Sequence, residues 1–168
     1  MTIYFSRLKV PYPKTYGYPA DWEGCWKVYT IWLRETSDSC TTRADVHNLQ
    51  SQKDKMDARF TFVTLLNRAL TGRNFADLYD IKRCHVAHTF SYTADDGKSK
   101  EVRIFRIWGA GKIRTYFIYI EGRRIALLKT LAKRSSTLTG GQTKELEEIA
   151  KLVSSSLNQS TFQGREKP

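Results

Sequence analysis

Arg103, Arg106, Arg114, Tyr116, Lys129, Lys133 and Arg134 fall within one short stretch of this chain and carry the side chains of phosphate chemistry. A guanidinium offers a fork of donors to two phosphate oxygens, and an ammonium adds a point charge. A phenol can stack on a base or donate to phosphate. A lysine crowded by other cations has its charged form disfavoured, so its pKa falls towards the range where it can act as a base. Arg114 and Arg106 suit a phosphate clamp, and Lys129 and Lys133 are the candidate bases. Gathering so many cations on a small sheet is costly unless an anion meets them, which points to a polyanionic partner.

The elements that must position these residues follow from the pattern of the chain. Residues 102–108 (VRIFRIW), 113–120 (IRTYFIYI) and 124–134 (RIALLKTLAKR) are apolar-aromatic runs. Short glycine-containing connections, Gly109-Ala110-Gly111-Lys112 and Glu121-Gly122-Arg123, separate them and predict a three-strand antiparallel meander. Strand alternation places Arg114, Tyr116 and Ile118 on one side, and puts Arg103 and Arg106, three apart, on opposite sides. Upstream, residues 26–33 alternate as a first strand, and 35–52 are polar and read as a loop or insertion. Residues 54–70 predict a helix whose apolar positions are Met56, Phe60, Val63, Leu66 and Leu70, stopped by Thr71-Gly72. A second short helix is expected over 74–81 from the Asn74 cap. Residues 82–93 are ambiguous between strand and loop before the turn Asp95-Asp96-Gly97. Residues 142–157 predict a closing helix with Leu146, Ile149, Ala150, Val153 and Leu157 inward. The expected fold is α+β: a small antiparallel sheet, made of the N-terminal strand and the meander, packed against an N-terminal helical hairpin and a C-terminal helix.

The 168 residues are one domain by length, with 40% hydrophobic and 12% aromatic content, enough for a packed core. The formal charge of +11 selects acidic partners such as nucleic acid. No apolar run reaches the roughly 18–20 residues of a membrane span, and the N-terminus has no apolar signal core, so a soluble cytoplasmic protein is expected. Residues 1–21, rich in Tyr and Pro, read as an extended arm, 22–157 as the domain with insertions near 35–52 and 82–100, and 158–168 as a flexible tail. Cys25, Cys40 and Cys84 have no metal-type spacing, and Cys84, His85 and His88 lack a second ligand cluster, so no metal or cofactor is expected. The ordinary reading of His85 and His88 is as satisfied or surface groups, of Arg123-Arg124 as solubilising turn residues, and of Trp108 and Phe117 as core.

The meander resembles the RelE/HigB-type toxins of bacterial toxin–antitoxin pairs, including phage-borne relatives. The residues that carry the resemblance, in order, are Ile104-Phe105-Arg106-Ile107, then Arg114-Thr115-Tyr116-Phe117, then Leu127-Leu128-Lys129-Thr130-Leu131-Ala132-Lys133-Arg134, then a glutamate-containing helix over 144–151. The pattern departs from that family where Lys129 stands in place of a frequent histidine, and where the loop after Arg134 lacks a proline and no tyrosine or histidine follows. The resemblance implies a metal-independent endoribonuclease that inhibits translation by cutting mRNA on the ribosome, held in check by an acidic antitoxin. Lys129, Lys133, Arg114 and Arg106 would be catalytic, and Arg134, Arg103 and Tyr116 would bind RNA. Two other functions stay open on the same scaffold: a catalytically inactive phage or mobile-element binder, and a ParE-like gyrase inhibitor.

Overall fold

In a computed structural model, the described residues are 3–8, 22–33, 39–79, 82–135 and 137–157. The strands are β1 (Tyr4–Leu8), β2 (Lys27–Trp32), β3 (Cys84–Thr93), β4 (Ser99–Trp108), β5 (Ile113–Ile120) and β6 (Arg124–Ala132). The helices are α1 (Thr41–His47), α2 (Gln52–Leu70), α3 (Phe75–Leu78) and α4 (Gly140–Leu157). All six strands join one sheet in the order β1-β2-β6-β5-β4-β3. Neighbours are antiparallel except β2 and β6, which run parallel through Lys27↔Arg124, Val28↔Ile125 and Tyr29↔Ala126. Among the described residues no helix is long and apolar enough to cross a membrane.

The small, wholly antiparallel sheet expected from the sequence is therefore incorrect: the sheet is larger and mixed. Residues 4–8, assigned to an arm, form an edge strand because Ile3 and Phe5 are buried on one face and the prolines begin only at Pro11. The ambiguous segment after residue 82 is a ten-residue strand closed on β4 by the Asp95-Asp96-Gly97 turn, with Gly97 at φ 77°. The expected helical arrangement is also corrected. The polar segment 35–52 contains α1, whose buried Thr42 and Asp45 attach it to the sheet, and the second arm of the expected hairpin is only the single turn of α3. Residues 9–21 and the tail 158–168 lie outside the described residues.

Both faces of the sheet are covered. On one, Leu146, Ile149, Ala150 and Val153 of α4 pack on Ile104, Tyr116, Ile118 and Leu128. On the other, Leu65 and Ala69 of α2 and Phe75 of α3 pack on Val28, Ile107, Phe117, Ile125 and Leu127. Such strands read as continuous apolar runs because both sides are buried.

The inward face of α2 is not the one its large apolar residues predict. Met56, Phe60 and Val63 are exposed, while Ala58, Thr61, Leu65 and Ala69 are buried. Small residues let the helix come close to the β4–β5 turn: Ala110 N donates to Thr61 Oγ1 at 3.0 Å, and a Cβ on Gly109 would lie 2.2 Å from that same oxygen. The glycine is required there by close approach rather than by a positive φ.

Candidate functional site

Sheet register assembles the cations. Across β4, β5 and β6, Arg106 sits opposite Tyr116 and Tyr116 opposite Lys129, and one step along, Trp108 sits opposite Arg114 and Arg114 opposite Leu131. Paired residues share a face, and this is the face that α4 covers. On β3, His85 is the partner of Arg106 and so belongs to the same row. Lys133 follows β6 directly, held by its backbone N donating to Lys112 O at 2.8 Å.

Arg106 and Arg114 are both buried, at 5% and 4% exposure. Arg106 Nη2 donates to Lys82 O at 3.4 Å, and Arg114 Nη1 to Ile113 O at 3.3 Å. The Arg114 guanidinium stacks on Trp108, 4.2 Å from the ring centroid, and its Nε is buried without an acceptor. Lys133 is half-buried, its Nζ donating to Thr137 O at 2.5 Å and to Gln142 Oε1 at 2.8 Å. Arg114 and Lys133 make no ion pair among the described residues.

The electrostatics match that geometry. Burial, and then the charges of Arg114 and Arg106, lower the pKa of Lys133. Burial and the neighbouring Arg106 lower that of Arg114, which stays charged at neutral pH all the same. Three cations therefore repel one another in a partly desolvated place, and an anion binding among them relieves both costs.

The remaining expected site residues are tied to acids, shut in, or turned away. Lys129 is engaged by Glu145 of α4 at 2.8 Å and Asp45 of α1 at 3.3 Å. Burial works to lower its pKa, but the Glu145 hydrogen bond and the Asp45 charge outweigh it, and the net direction is up. A lysine held charged in this way is a poor base, so Lys129 acts as a tie between α1, β6 and α4. Tyr116 is fully buried, so its ring cannot stack a base. Its hydroxyl has no hydrogen-bond partner, and burial raises its pKa against the lowering charges of Arg106 and Arg114. Arg103 lies on the opposite side of β4 from Arg106, exposed and paired with Glu101 at 3.1 Å. Arg134 is exposed in the bend after β6.

Trp108, expected in the core, is another residue that sequence reasoning misplaced. It is 38% exposed, not core, and Arg83 also approaches its ring, at 5.7 Å. Its position two residues beyond Arg106 on the same strand was the available signal. Phe117, assigned to core, is fully buried there. Cys84 and His85 point to opposite faces of β3, and His88 is bound to Glu147 at 2.6 Å. Arg123, far from the site, has φ 57°, donates to Gly72 O and lies over Trp26, so it fixes the β5–β6 turn rather than only solubilising it.

No family model, no curated protein and no solved structure matches this chain.

Proposed function

We propose that the chain is an RNA-cleaving enzyme of RelE/HigB type, in which Arg106 and Arg114 grip one phosphodiester and Lys133 is the base. The observation that carries this reading is the meeting of Arg106, Arg114 and Lys133 beside one sheet face, with the lysine's pKa lowered by burial and then by the two arginines. The neutral amine of Lys133 takes the 2′-hydroxyl proton, and the 2′-oxygen attacks phosphorus. The guanidinium groups stabilise the charge that builds on the phosphorane oxygens. The leaving 5′-oxygen must gain a proton, and His85, on the same row as Arg106, is the titratable group placed to return it. Trp108 offers an exposed ring beside the clamp for a flanking base. These steps need side chains alone. The resemblance of residues 101–153 supplies the rest of the proposal: mRNA on the ribosome as substrate and an acidic antitoxin as partner.

One observation favours a second reading, an RNA-binding module that does not cut. Tyr116 is shut in and Lys129 is tied to two carboxylates, which leaves fewer groups for proton transfer than the sequence offered. Induced expression with transcript ends mapped separates the two. The wild type is expected to arrest growth and create new RNA ends, and Arg114→Ala and Lys133→Ala to lose both while their circular dichroism stays native. Growth arrest unchanged in the two folded variants rejects the enzyme; arrest without new ends selects the binder.

A further inference from the structure

A second cationic site lies on the other side of the molecule, between α1, α2 and the end of β1. It is a cleft of about 600 Å³, within the range of small-molecule sites. Helical spacing builds its walls: Arg43 and His47 are one turn apart on α1, and Lys55, Arg59 and Phe62 lie along one face of α2. Leu8, Val46 and Phe62 supply an apolar surface within it, and Gln52 an amide. No carboxylate among the described residues lines the cleft. Among the described residues Arg43, Lys55 and Arg59 take part in no ion pair, although acids elsewhere on these helices are already engaged, Asp45 by Lys129 and Asp57 by Lys53. Like charges held around an apolar pocket repel unless an anion enters.

We propose that this cleft binds a free nucleoside triphosphate, its phosphates against Arg43, Lys55 and Arg59 and its planar base against Phe62, Val46 and Leu8. Charge complementarity selects the polyphosphate, and the apolar patch selects a ligand with a flat body over inorganic phosphate alone. The size of the cleft suits one nucleotide with its phosphates rather than a length of strand. The site is separate from the Arg106–Arg114–Lys133 cluster and does not rest on the function proposed for it.

Isothermal titration of the full chain with ATP, and with inorganic tripolyphosphate, tests the proposal. One-to-one ATP binding is expected, with tripolyphosphate weaker and the Arg43→Glu/Arg59→Glu double variant weaker than wild type by about tenfold or more. Both arginines are exposed, so the double variant should keep the wild-type thermal midpoint. Absence of binding at millimolar ATP, or affinity unchanged by the charge reversal, overturns the proposal. Equal affinity for tripolyphosphate removes the base-binding role. Weakening by Lys133→Ala instead of by the double variant places the nucleotide on the sheet face, and displacement of ATP from the Lys133→Ala protein by a short RNA assigns the cleft to a strand.

Discussion

Lys133 and Lys129 have the same side chain, start four residues apart, and end in opposite electrostatic states. Lys129 reaches Glu145 and Asp45, whereas Lys133 reaches only a carbonyl and the amide of Gln142, with Arg114 and Arg106 nearby. Alternation along β4 was enough to put Arg103 and Arg106 on opposite sides, and register with β5 brings Arg106 to the side of Arg114. Alternation could not separate the two lysines, because the acids that claim Lys129 come from distant elements, Glu145 from α4 and Asp45 from a polar segment read as a loop. Gln142 gives a direct test. Gln142→Glu keeps the hydrogen bond but sets a carboxylate 2.8 Å from Lys133 Nζ, which favours the ammonium form. Cleavage that depends on the neutral amine rises with pH as Lys133 loses its proton. In the variant that rising limb of the kcat/KM–pH profile should move up by about one unit. A limb that stays in place means another group is the base.

At the scale of elements, α1 is held to the sheet by Asp45, whose Oδ2 accepts from Thr130 N at 2.8 Å. Burial pushes its carboxyl from 3.8 up to about 6, against the lowering effects of Thr130 N–H and Lys129. The folded state then binds the proton more tightly than the unfolded chain, so stability falls as pH rises from about 4 to about 6 and is flat above. Asp45→Asn does not titrate and still accepts from Thr130. Urea midpoints should show the variant gaining on the wild type across that window, by on the order of 2–3 kcal/mol at 1.36 kcal/mol per pKa unit. A gap that is constant with pH removes Asp45 as the cause. The helices also show where pattern reading fails. Period 3.6 located α2 and α4 correctly, and the inward residues expected of α4, from Leu146 to Val153, are buried. In α2 the large apolar side chains drew the eye to the wrong face, because close approach to Gly109 and Ala110 selects small ones. No periodicity rule contains the shape of the opposing turn.

Across the whole molecule, 28 Lys and Arg against 17 Asp and Glu give the excess positive charge, but only some of it is available to an anion. Among the described residues, Arg103, Lys53 and Lys129 are matched by acids, and Lys133 and Arg114 are not. Binding of single-stranded RNA should weaken with salt, and removal of Lys133 should lower the log–log slope by about 0.7, the release expected for one phosphate contact. Arg103→Ala should leave the slope unchanged. A fall in slope for Arg103→Ala equal to that for Lys133→Ala means the RNA samples surface charge without a defined site. The sequence showed the meander because its turns are local. It hid the sheet's full width, since β2 meets β6 in parallel across most of the chain, and such pairing leaves no mark in neighbouring residues.

That parallel contact has a consequence for the order in which the molecule is made. β1 and β2 leave the ribosome early, yet the neighbour that β2 requires, β6, is synthesised only at residues 124–132. Until then the first hairpin has an open edge, and closing it means closing a loop of nearly a hundred residues, a slow step in any chain. Arg106 and Arg114 have already been added by that time, but Lys133 comes last, just beyond the strand that completes the sheet. A nascent or truncated chain ending before residue 124 therefore holds Arg106 and Arg114 but not Lys133. On the proposed reading, the site is complete only once Lys133 has been added.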